Sequence, residues 1–369
     1  MTVNDFASAH ATGGRADDLV RDLGDRLGGS TGHTVGFLYA TSPLAGSFGQ
    51  IVSGLKARTG IGRWIGTVGH GVCGSGVEHW GRPAAVALTC RFPEGSYTLI
   101  PSIADGADLT GWSSGGLVAG LGVVHADPRN AAVTEIVAAL AADRGAYLVG
   151  GLSSADAEFP QAVGDRIVDG GVSGILLGGR LSVAVGLTQG CSPVGPVHEV
   201  GRVEGQVLVT LDGRRAYDVL CEDVGIADGA DPRPWLANVH PALPVAGSTE
   251  ADYVVRNLIG IDPRQGLVAI AESVSAGDRV LFVRRDAESA EKDLRRMLTD
   301  LAGRMTAPPK AGLYYSCVGR GPNLFQHEAH EMQSIRGAFG DIPIVGFFGN
   351  GEISNNRVYG YTGVLTLFS

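Results

Sequence analysis

Three stretches of this 369-residue chain read as versions of one unit, and a repeat of that kind restricts the fold more than any composition does. Each version runs strand, helix, glycine-rich strand, strand, over roughly 55 residues. The first passes through TVGFLYA (34–40), a window around Ile51 to Lys56, WIGTVGHG (64–71) and AAVALTC (84–90). A second passes through LGVVHA (121–126), AAVTEIVAALAADR (131–144), YLVGGLSS (147–154) and LSVAVGLT (181–188). The third is GLYYSC (312–317), a helix over Glu328 to Phe339, DIPIVGFFGNG (341–351) and YGYTGVLTLF (359–368). Alternating strands and helices predict an α/β protein. The 57 glycines, about twice the usual share, let backbones approach closely. We therefore expect two mixed sheets flanked by helices, packed face to face as a four-layer αββα sandwich with internal repeats.

The segment ADDLVRDLGDRL (16–27) places Leu19, Leu23 and Leu27 four apart, which predicts a docking helix within a helical extension at residues 1–30. A Pro- and Asp-rich stretch, GIADGADPRPWLANVHPALP (225–244), is the candidate boundary between a domain at 31–230 and another at 231–369. After it, YVVRNLIGID (253–262), LVAIAES (267–273) and RVLFVRRD (279–286) read as strands, followed by a helix near Ser289 to Arg304.

A net charge of −9 repels phosphate backbones and anionic lipid, which argues against nucleic acid as a partner. The start, MTVNDFASAH, lacks the pattern of a secretion signal, and no run reaches the length and apolarity of a membrane span. Five scattered cysteines without a Cys-x-x-Cys pair suggest neither disulfides nor zinc. The expectation is a cytoplasmic protein without membrane insertion.

Several motifs fall away on context. GHGVCG (69–74) matches a dinucleotide fingerprint, but no helix pattern follows to hold pyrophosphate. GWSSG (111–115) lacks the strand that a nucleophile elbow needs. HEAH (327–330) sets His327 and His330 three apart beside Glu328 and Glu331, against the four-residue spacing of zincins, and reads as a solvated helix face. His70 and Cys73 are the candidates for haem or a soft metal, although one glycine-rich loop seldom closes a site, and no cofactor is expected.

The last third holds more. Cys317 ends a strand and precedes Val318, Gly319, Arg320 and Gly321, so its thiol faces two opposed influences, a nearby cation and burial beside Tyr314 and Tyr315. Gly349, Asn350, Gly351 and Glu352 form a tight turn that can present N–H groups, an amide and an acid to a polar ligand. Arg256 and Asn257 follow two valines, and such an arginine must find an acid, with Glu352 as one choice, or a ligand carboxylate. A Cys317 nucleophile with His327 or His330 as base is the enzymatic alternative.

The stretches SCVGRGPNLF, GDIPIVGFFGNGEI and TGVLTLF, with YVVRNLIGID and RVLFVRRD, resemble the C-terminal half of FIST-domain proteins. The N-terminal half, from GHTVGFLYA to LSVAVGLTQG, is similar to the family's N-terminal domain, though Gly69, His70 and Gly71 stand where many members read Thr-x-x-Gly-Glu. The resemblance implies a standalone, non-enzymatic sensory module that binds a small polar metabolite such as an amino acid and signals through a separate partner protein. Haem-linked nitric oxide sensing is the family's other association. Carried over, the ligand-binding set is Cys317, Arg320, Gly321, Asn350, Gly351, Glu352, Arg256 and Asn257.

Overall fold

A computed structural model describes residues 5–28, 30–179, 181–227, 230–245 and 252–369. The chain divides into two compact units: residues 1–188 with 294–369, and an inserted unit of 189–293. The expected boundary near residue 230 lies inside the inserted unit.

The larger unit is built on the repeat, three times over. Its first version comprises Val35–Thr41, helix Phe48–Thr59, Arg63–Gly69 and Ala84–Cys90. Ala119–Ala126, Val133–Arg144, Tyr147–Leu152 and Val172–Gly178 make the second. The third has Ala311–Cys317, His330–Phe339, Ile344–Gly349 and Thr362–Phe368. In each, the first strand pairs parallel with the second and antiparallel with the last. Residues 181–188 are expected as the last strand of the second version. That strand, Val183–Gln189, instead joins the third sheet, and Val172–Gly178 fills the place.

Each version also lends a hairpin to another. Gly71–Gly74 pairs with Ile344–Gly349, Gln161–Gly164 with Arg63–Gly69, and Glu352–Ser354 with Tyr147–Leu152. The result is three six-stranded sheets closed in a cycle. Their inner faces share one apolar core that includes Phe37, Leu121 and Phe347, while helices cover each outer face over cores such as Leu23–Leu55, Val137–Leu148 and Met297–Ile335. The expected two-sheet sandwich is thus corrected: the described residues form six sheets, three in this unit and three in the insert. The first strand, Phe6–Thr12, also corrects the purely helical reading of residues 1–30, since it pairs along Ala84–Cys90 before helix Ala16–Arg26.

The register explains a glycine at one place in every version. Gly66, Gly150 and Gly346 lie opposite Leu38, Val124 and Tyr314. A methyl group on any of them would collide with the carbonyl oxygen of that partner. One residue further along stand Tyr39, His125 and Tyr315, equivalent positions that meet in the shared core. The Tyr39 hydroxyl lies 2.8 Å from the Tyr315 hydroxyl and 3.1 Å from His125 Nε2. Burial pulls the His125 pKa down to about 3, so the ring is neutral. Tyr39→Phe leaves two buried polar groups short of a partner, and we expect a loss of about 1–3 kcal/mol in urea unfolding. Unchanged stability would show that the hydrogen bonds of this trio contribute nothing.

The inserted unit has its own core, around Val200, Leu220, Val239 and Phe282. In it His198 is held between Asp212 (2.6 Å) and Asp223 (2.8 Å), and these bonds raise its pKa against the opposing effect of burial.

Candidate functional site

The third version of the repeat ends its first strand in Cys317 and turns through Val318 and Gly319 to Arg320 and Gly321. Gly321 opens the short helix Pro322–Phe325 with φ +53°, and a Cβ there would lie 2.9 Å from both Phe348 and Trp80. Glycine is required on both counts. The turn drops the Arg320 side chain into the unit, where it is fully buried.

Its partner is Glu331, on helix His330–Phe339 and equally buried. Arg320 Nε donates to Glu331 Oε1 at 2.9 Å, and Nη2 lies 2.8 Å from the same oxygen, off the hydrogen-bonding direction. The Tyr314 hydroxyl donates to Oε1 (2.6 Å), the Ser316 hydroxyl to Oε2 (3.0 Å) and the Gly321 N–H to Oε2 (3.2 Å). These four donors compensate the carboxyl group for its removal from water.

Glu352, the first residue of the hairpin strand Glu352–Ser354, is fully buried and within electrostatic reach of Arg320. Its Oε2 accepts the Thr362 N–H (3.2 Å) and hydroxyl (2.7 Å), whereas Oε1 has no partner. Burial raises its pKa to about 8, although the Thr362 bonds and Arg320 pull downward. Glu78, on the edge strand Val77–Trp80 of the third sheet, accepts the Met332 N–H at 3.4 Å and is raised to about 8 by burial and by the charge of Glu331. The buried set is therefore one guanidinium with three carboxyls, of which Glu78 and Glu352 are mainly protonated at neutral pH. Arg320 Nη1 and Glu352 Oε1 are buried polar atoms with unused hydrogen-bonding capacity, as are Arg320 Nη2, Glu78 Oε2 and Trp80 Nε1.

Cys317 shares the cluster. Burial pushes its thiol up to about 12, the charge of Glu352 adds to the rise, and Arg320 opposes it without prevailing. Of the two influences expected at this sulfur, desolvation wins. The backbone above the cluster is strained: Gln326 and Ala329 take φ +57° and +58°, and Tyr361, next to Thr362, takes +62°.

The remaining candidates lie elsewhere. Gly351 sits at the turn, its carbonyl accepting the Leu152 N–H (2.8 Å), while the Asn350 side chain is exposed. Arg256 and Asn257 belong to the inserted unit, where Arg256 Nε donates to Glu272 at 2.7 Å and the Asn257 carbonyl accepts the Ala271 N–H. Glu272 thus takes the role weighed for Glu352. Cys73 is a fully buried core side chain, its Sγ 3.6 Å from the Tyr314 carbonyl and packed against Gly346. His70 is half-buried after strand Arg63–Gly69, its N–H donating to Ser154 Oγ. The helix expected to carry HEAH begins only at His330, so His327 and His330 do not share a helix face, and the His330 ring stacks on Phe325 at 4.5 Å. Among the described residues no group of three or more His, Cys, Asp and Glu side chains could hold a metal ion, and no helix is long and apolar enough to cross a membrane.

Sequence reasoning missed Glu331, the acceptor that holds the cluster together. Its signal was its spacing, four residues before Ile335 and beside Met332, which puts it on the apolar face of its helix.

Fold and cluster together define a class: triplicated α/β proteins that carry an inserted second unit and a buried guanidinium–carboxyl network at one strand end. The chain belongs to the FIST family, matching the FIST N domain over residues 34–214 and the FIST C domain over 216–355. It is 30% identical over 338 residues to an uncharacterized protein of Mycobacterium tuberculosis, covering 86% of this chain and 87% of that one. An uncharacterized protein of Mycobacterium bovis is 33% identical over 217 residues, 55% of this chain and 54% of its own length. FIST domains are a presumed sensory and signalling family. The inserted unit spans the junction between the two matched regions, so those regions and the compact units divide the chain differently.

Proposed function

We propose that this protein is a non-enzymatic sensory module that binds an α-amino acid at the Cys317–Arg320–Glu352 cluster and signals through a separate protein. The observation that carries the reading is the pair of buried atoms with unused capacity, a guanidinium nitrogen and a carboxyl oxygen. An α-amino acid carries the complementary pair, a carboxylate for Arg320 and an ammonium for Glu352. The two charge-assisted contacts contribute about 3–6 kcal/mol of the roughly 8 that micromolar affinity needs, leaving the ligand side chain to add the rest. Entry requires the strained cover between Gly321 and Ala329 to move, and a ligand that favours the moved form shifts that equilibrium. The raised Cys317 pKa supports binding without covalent chemistry, because thiolate is scarce at neutral pH.

The test is thermal shift with each of the twenty protein amino acids, followed by calorimetry of any hit in buffers of different ionisation heat. A hit should release close to one proton at pH 7, because Glu352 passes from mainly protonated to ionised on meeting the ammonium. Glu352→Gln should abolish that release and weaken binding at least tenfold. Absence of any shift, or a hit undiminished in Glu352→Gln, would refute the reading.

A further inference from the structure

The three sheets meet along three seams, and at one end of the larger unit the seams differ in how they are filled. Each seam is edged by the outermost strand of a sheet: Phe6–Thr12, Tyr97–Ile103 or Val183–Gln189. Two of these strands begin with an aromatic residue that closes its seam. Phe6 stacks on Phe368 at 5.6 Å, and Tyr97 lies 6.5 Å from Phe92 under the Arg63 guanidinium. The third begins with valine. Its inward-facing Val183 and Val185, with Leu181 just before it, are only partly buried, and a cavity of about 340 Å³ lies between them and Leu121 and Tyr147 of the neighbouring sheet. An adjoining cavity of about 740 Å³ shares Gly178, Gly179 and Leu181 and reaches Leu117 and Val118. Both volumes fall within the roughly 300–1,000 Å³ of small-ligand sites.

The lining decides the chemistry. Walls of leucine and valine suit an alkyl chain, and Val118, 83% exposed, extends the apolar surface outward. Arg304, from helix Ala287–Arg304, stands at the mouth of the smaller cavity, tethered by Nη2 to the Val185 carbonyl at 2.9 Å. That tether orients the guanidinium and leaves donors for an anion. Glu94 lines the larger cavity and repels an anion there.

We propose that this open seam is a second ligand site, which takes an amphipathic carboxylate with its chain along Leu121, Leu181 and Val183 and its head at Arg304. It is independent of the Arg320 cluster, which shares none of these residues.

The experiment titrates the full chain with sodium decanoate below its micelle concentration, with decyltrimethylammonium and acetate in parallel, by calorimetry and thermal shift. Decanoate should bind saturably at one site, with the ammonium and acetate at least tenfold weaker. Arg304→Glu, on the surface, should weaken decanoate about tenfold or more. Val183→Phe, which copies the closed seams, should remove binding, and if it fails to fold, Arg304→Glu carries the decision. No saturable decanoate binding, equal binding of the ammonium, or affinity unchanged in Arg304→Glu would overturn the proposal. Self-association that Val118→Glu abolishes, with no decanoate binding, would overturn it in favour of a contact between copies of the chain.

Discussion

Glu352→Gln is expected to melt roughly 5–10 °C above the unaltered protein at pH 9 and within a degree or two of it at pH 5. The folded protein holds the Glu352 proton up to about pH 8, whereas an unfolded chain releases it near 4.5. Between those values the folded state binds more protons, so stability falls as pH rises. The stabilising contribution is complete below about 4.5 and lost by the time the pH passes 8. The interval corresponds to several kcal/mol, on the order of 3–5, for a side chain with no water to screen it. Glutamine is neutral throughout and keeps a carbonyl for Thr362, so its stability should lack this slope. Glu78, raised in the same direction, leaves a residual slope in the variant. Thermal melts of both proteins at one-unit pH steps decide the matter, and parallel curves would mean that Glu352 is already ionised at neutral pH.

The helices and strands of the larger unit were legible because they obey local rules. Leu19 and Leu23, four apart, are buried on one helix face, and the β-branched runs at 35–41, 147–152 and 344–349 became strands close to where their composition placed them. The number of sheets was not legible. It depends on hairpins that pair with strands more than 90 residues away, such as Gln161 with Thr67 or Phe347 with Val72, and periodicity carries no information about distant partners. Phe6–Thr12 escaped notice because FASAHAT is mostly small residues, and VSGILLG because a run of glycine and aspartate precedes it. At the site, Arg320 could be found from its motif and Glu352 from its turn. Glu331 reads as part of a solvated face when its charge is weighed alone, although its spacing to Ile335 places it on the buried face of its helix. For Arg256 the residue pattern left an acid or a ligand carboxylate open; its ion pair is with Glu272, a partner fixed by tertiary contact and not by local sequence.

The effect of removing Glu331 should be as large, and opposite in sign. Glu331→Gln takes the negative charge from a fully buried guanidinium and leaves Tyr314, Ser316, Gly321 and Arg320 donating to a weaker acceptor that itself brings two donors. Breaking a buried pair from one side costs about 3–5 kcal/mol, because the surviving charge has lost its compensation. Replacing both partners removes that penalty. The double variant Arg320→Met with Glu331→Gln should therefore be more stable than Glu331→Gln alone, although it deletes more of the native hydrogen bonds. Urea unfolding of the two singles and the double supplies the full cycle. If the double loses the sum of the two single losses, the residues act independently, and the account of Glu331 as the counter-charge that keeps Arg320 in the interior fails. If the double recovers part of the loss, the pair is coupled through charge. The same protein would then show whether the buried cation is needed for amino-acid binding, since the double variant lacks the guanidinium.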